Sequence, residues 1–162
     1  MKQSGLQNKR RLTVILIGYF IAVLFITLYR DAGKQKLILT PFWEWKQLAV
    51  SSRKLHWILQ IGLNILLFVP FGFLMPHLFR RFRSAFVTAA AGFLFSVSIE
   101  TVQYFAQRGF TETDDILHNT LGACIGYLFF RALHARRVSF TDGSVSSSDA
   151  NTDPTELEPP PQ

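Results

Sequence analysis

Four long apolar stretches, separated by loops that carry most of the charge, limit what this chain can fold into. They are Leu12–Tyr29, Trp57–Phe79, Ser84–Ala106 and Asp115–Ala132. A hydrocarbon core about 30 Å thick is crossed by roughly 20 apolar residues in a helix, and each stretch is close to that length. Lipid offers no partner for an unpaired backbone group, so spans of this length fold as helices. Composition agrees: only 17% of the residues are charged, against about 25% in an average soluble domain. Sixteen Phe are more apolar payload than a soluble core of 162 residues needs. The expected fold class is an all-α membrane protein, about four transmembrane helices packed as a bundle. Pro70 removes a backbone donor and frees the Leu66 carbonyl, so the second helix is expected to kink there.

The charges divide the chain. Val138–Gln162 holds five acids and no Lys or Arg, which leaves Met1–Arg137 with 17 basic and 6 acidic residues, a net +11. Those basic residues flank the apolar runs and form no stripe, so they read as contacts with a membrane surface and not with nucleic acid. Residues 1–11 form a basic N-terminus, 12–137 a transmembrane domain, and 138–162 an acidic, Pro- and Ser-rich tail expected to be disordered. Lys9–Arg11 ahead of an apolar run resembles a secretory signal, but no small-x-small site follows, so the run reads as an uncleaved anchor. Ten Lys and Arg fall on one side of the four spans and seven on the other, which predicts both termini in the cytoplasm. The lone Cys124 makes neither a disulfide nor a zinc site. His118 with scattered carboxylates is a poor ligand set, so no metal and no cofactor is expected.

A carboxylate inside a span costs roughly 3 kcal/mol on insertion scales, which makes Glu100 and Asp115 the candidate catalytic residues. Ala89, Gly92, Ser96, Glu100 and Gln103 share one helical stripe, and so do Asp115, Asn119, Gly122 and Gly126. Small residues on such faces admit a close neighbour, so both stripes are expected to face into the bundle. Packed against the third span, the second stripe would bring Asp115 and Asn119 level with Glu100 and Gln103. Asn64 on the second span is a further contributor, and Arg108 in the short third loop could cap the cluster with its planar fork. For the uncharged polar residues, interhelical glue is an equal reading. The segment Leu39–Trp45, LTPFWEW, reads as an interfacial loop whose Trp residues suit the headgroup level.

These residues resemble the VanZ-like family of bacterial integral membrane proteins. LTPF (Leu39–Phe42) looks like its Pro-Phe segment and NILLFVPFG (Asn64–Gly72) like its Asn, Phe and Pro-Phe-Gly signature. SIETVQ (Ser98–Gln103) is similar to its Glu-x-x-Gln pair. RGFTETDDILHNTLG (Arg108–Gly122) is similar to its Arg, Asp-x-x-Asp, Asn-Thr and Gly pattern, which Gly126 continues. The likeness covers residues 37–130, with Glu112 where the family usually has the first Asp. It implies a multi-pass protein of the bacterial cytoplasmic membrane, and a link to low-level resistance to teicoplanin, a glycopeptide that carries an acyl chain. It also implies substrate-binding roles for Asn64, Phe68, Pro70, Phe71, Gly72, Gln103, Arg108, Glu112, Asn119, Gly122 and Gly126.

Three roles fit these readings. The protein binds an amphiphile or modifies the cell surface, with a lipid-linked wall precursor or the glycopeptide as partner beside the bilayer itself. Alternatively, it is a membrane-embedded enzyme that uses Glu100 or Asp115 as general acid or base on a lipid or wall precursor. A proton-coupled carrier is the third role; with four spans and no internal repeat it would need to form a homo-oligomer.

Overall fold

The computed structural model describes residues 2–29, 36–107 and 110–146. Five α-helices run α1 (Lys2–Leu28), α2 (Trp43–Val50), α3 (Lys54–Leu78), α4 (Ala85–Phe105) and α5 (Thr113–Ser146). Four are long and apolar enough to cross a membrane, over Leu6–Thr27, Lys54–Leu78, Ala85–Phe105 and Thr113–Ala135. Large apolar side chains such as Ile17, Phe25, Leu66, Phe86 and Leu128 lie on the outside of these helices. In water that exposure would drive association, whereas in a bilayer it is the expected lipid-facing surface. Met1–Phe130 is one compact unit and Arg131–Gln162 a second. The tail expected from Val138 overlaps the last turns of α5, and residues 147–162 lie outside the described residues.

Phenylalanine fills the core. Phe68, Phe71, Val23, Ile99 and Ala123 are buried together, with Phe20 and Phe95 against them. Phe95 meets Phe20 edge-on at 5.1 Å and stacks on Phe71 at 5.7 Å, the geometries aromatic quadrupoles favour. The Tyr19 hydroxyl donates to the Leu67 carbonyl at 2.9 Å and ties α1 to α3 just ahead of Pro70. α3 stays helical across Pro70 and Pro76. It ends at Phe79, and the arginines follow in a single tight turn over Arg80–Arg83. That turn is pinned through its carbonyls: Thr88 donates to Phe82 and Tyr127 to Arg83, each at 2.7 Å.

Helix-to-helix approach is closest where Gly replaces a side chain. A Cβ on Gly122 would lie 2.0 Å from the Ile65 carbonyl oxygen, and one on Gly126 2.1 Å from that of Val69. The GxxxG face of α5 therefore lies against α3, and not against α4 as the stripe pattern predicts. α4 still meets α5, through Gly92 beside the Ala123 methyl.

Two three-residue strands join loops that a sequence reading leaves irregular. β1 (Lys36–Ile38) pairs in parallel with β2 (Phe110–Glu112), Ile38 opposite Glu112. β1 leads into α2 and β2 directly into α5, so the ladder sets the start of one helix beside the start of the other.

Candidate functional site

At that junction the Asp114 carboxylate serves α2. Its two oxygens accept the Phe42 and Glu44 backbone N–H groups at 2.6 and 2.8 Å, satisfying two donors that a helix start leaves orphaned. The charge also complements the positive end of the α2 dipole. Phe42 holds φ at 60°, a left-handed conformation that is unfavourable for a bulky residue. The doubly bonded Asp114 fixes it there.

Behind this cap, Glu44 is fully buried. Gln60 on α3 donates its Nε2 hydrogen to Glu44 Oε1. Glu44 Oε2 lies 3.2 Å from His118 Nδ1 on α5, near enough for attraction but without the alignment of a hydrogen bond. The other ring nitrogen, Nε2, accepts the Trp45 indole N–H at 2.9 Å. An indole N–H can only donate, so Nε2 is the bare nitrogen and the imidazole hydrogen sits on Nδ1, facing Glu44. α2 is thus docked by a buried Glu–His pair whose tautomer a tryptophan sets.

Next to this dock lies a cavity of about 440 Å³, within the roughly 300–1,000 Å³ of small-molecule sites. Ile26, Leu59, Leu63, Leu67 and Ile99 make its apolar wall, and Gln60, Asn64, Glu100, Gln103, Asp115 and Asn119 gather its polar groups. Asn64 donates its Nδ2 hydrogen to Asp115 Oδ1. Glu100 Oε2 accepts the Glu112 backbone N–H at 3.1 Å, which ties the end of α4 to β2. Gln103 reaches the Thr27 carbonyl at 3.2 Å, and Asn119 reaches Ser96 Oγ at 2.8 Å.

The residues expected at the site therefore separate into groups. Asn64, Glu100, Gln103, Asp115 and Asn119 come together around one cavity. Glu112 is buried behind it. Phe68 and Phe71 belong to the aromatic core. Gly72, Gly122 and Gly126 serve the α3–α5 contact, a Cβ on Gly72 falling 1.9 Å from the Ala123 carbonyl oxygen. Pro70 lies inside α3, and Arg108 lies outside the described residues.

Glu44, Asp114, Gln60 and Trp45 complete the assembly and escape a sequence reading. Glu44 sits between two Trp in a segment that looks interfacial, and Asp114 stands beside the more conspicuous Asp115. The available signal is that Asp114, Asp115 and His118 all fall within one turn of α5.

Donor atoms of Glu44, Asp115 and His118 lie within 4.8 Å of one another, all buried. The His118 tautomer weighs against a metal there, because Nδ1 carries the hydrogen and has no lone pair to offer. Ligation would need the proton moved to Nε2, and so Trp45 displaced.

A family model described as VanZ/LLP1 matches residues 13–134, which include every residue of this assembly. No curated protein and no solved structure matches the chain.

Proposed function

The chain belongs to the VanZ/LLP1 family, and on that premise we propose that it is a cell-envelope protein of the bacterial cytoplasmic membrane that holds an amphiphile in the cavity between its spans. The observation that carries this reading is the two-sided lining, with an apolar wall from α1, α3 and α4 and polar groups from α3, α4 and α5. An acyl chain would pack along Leu59, Leu63 and Leu67 at the open, lipid-facing side of the cavity, while its head meets the amides and carboxylates. With both termini in the cytoplasm, the cavity opens toward the outer leaflet, where wall precursors are displayed. Retention of an acylated glycopeptide such as teicoplanin, or of the lipid-linked precursor it targets, lowers drug action at the surface.

A second reading is favoured by one observation: Glu100 and Asp115 both line the cavity, as a membrane-embedded acid–base enzyme would require. Teicoplanin survival of a susceptible Gram-positive host, at matched membrane levels, tests the pair. Binding predicts that Leu63→Ser and Glu100→Gln each weaken protection. Enzymatic action predicts that Glu100→Gln abolishes it while Leu63→Ser only reduces it. A wild-type protein that gives no protection refutes the resistance role.

A further inference from the structure

Resting on the amphiphile reading, we infer that the cavity selects a head group rich in hydrogen-bond donors, a glycosyl or amino head, over a phosphate monoester. The four carboxamides around the cavity are committed in the same sense. Gln60 donates to Glu44, Asn64 to Asp115, Gln103 to the Thr27 carbonyl and Asn119 to Ser96. A backbone carbonyl can only accept, so the Gln103 amide is fixed with its nitrogen toward Thr27 and its oxygen turned away.

Gln103 Oε1 and Asn119 Oδ1 are buried and have no hydrogen-bond partner. The two residues are only 2% and 4% exposed, and both line the cavity. A buried acceptor left without a donor is unfavourable by roughly 1–3 kcal/mol, so a ligand that brings O–H or N–H groups relieves a deficit already built into the wall. Glu100 and Asp115 add carboxylate acceptors to the same lining. A phosphate monoester brings acceptors and negative charge, and satisfies neither amide oxygen. Among the described lining side chains, His56, at an exposed position, and the Thr27 hydroxyl add donor capacity beyond the four amides.

The test uses the full chain in lipid nanodiscs and four probes with one dodecyl tail: the glucoside, its per-O-methyl ether, the ammonium and the phosphate. Dissociation constants come from calorimetry. The glucoside, the ammonium or both should bind at least roughly tenfold tighter than the ether and the phosphate, one hydrogen bond being worth about a factor of ten. Which of the two leads separates a polyol head from an amine. Gln103→Met should narrow that gap to about threefold without weakening the ether, and Asn119→Leu is the independent second variant. If either variant fails to fold, the ranking on the unmodified chain decides. Equal binding of all four probes, or tightest binding of the phosphate, overturns the donor-rich head but leaves amphiphile binding standing. Saturation by none of the four overturns both.

Discussion

Asp114→Ala should release α2 from the bundle. The substitution strips two hydrogen bonds from a carboxylate to backbone N–H groups, 2.6 and 2.8 Å long. Hydrogen bonds to a charged group contribute about 1.5–3 kcal/mol each, so roughly 3–6 kcal/mol of docking free energy is at stake. Relief of the left-handed Phe42 backbone returns about 1 kcal/mol of that. A net loss of about 3 kcal/mol multiplies the open population by roughly 100. Amide hydrogen exchange of residues 42–50, measured by mass spectrometry in nanodiscs, reads this directly, because exchange of a docked segment follows its local opening. Protection there should fall about a hundredfold while the core of α3 is unchanged. Asp114→Asn keeps one acceptor oxygen and should fall between. Protection within threefold of wild type in Asp114→Ala would refute Asp114 as the clamp.

The other predictions address packing, strain and the tautomer. Gly122→Ala places a methyl 2.0 Å from a backbone oxygen and should destabilise by about 1–3 kcal/mol or more, seen as a lower thermal midpoint in detergent. Gly62→Ala meets nothing within 4 Å and should raise that midpoint, by helix propensity worth up to about 1 kcal/mol. Phe42→Gly should increase protection of α2 by relaxing the left-handed residue. Trp45→Phe removes only the donor that holds His118 in its tautomer, so zinc binding should appear in equilibrium dialysis of the variant and not of the wild type.

The spans and the inward face of α4 are legible in the sequence because both are local patterns. A run of apolar residues announces a membrane helix, and Gly92, Ser96, Glu100 and Gln103 recur at helical spacing and are all buried. The partner of a face is not local. The Gly122 and Gly126 stripe shows that α5 meets something closely, but only the fold shows that it meets α3 at Ile65 and Val69. Three-residue strands have no window long enough for alternation to show. The docking of α2 rests on pairs 70 or more residues apart, Glu44 with Asp114 and Trp45 with His118. Nothing around Glu44 marks it as buried, since its flanking Trp residues suit the interface equally well.

The parallel pairing of β1 with β2, and the α2 dock behind it, also set a timetable for the ribosome. Glu44 is synthesised 70 residues before Asp114, whose carboxylate will receive its N–H. At about 5–20 residues per second, that interval is roughly 4–14 s. Throughout it, α2 carries a carboxylate destined for the interior, and Asn64 waits in a membrane-bound helix for an aspartate not yet made. Glu44 and Asn64 reach these aspartates only once the start of α5 has been made. Docking of α2 therefore waits for the start of α5, the part of the chain that brings Asp114.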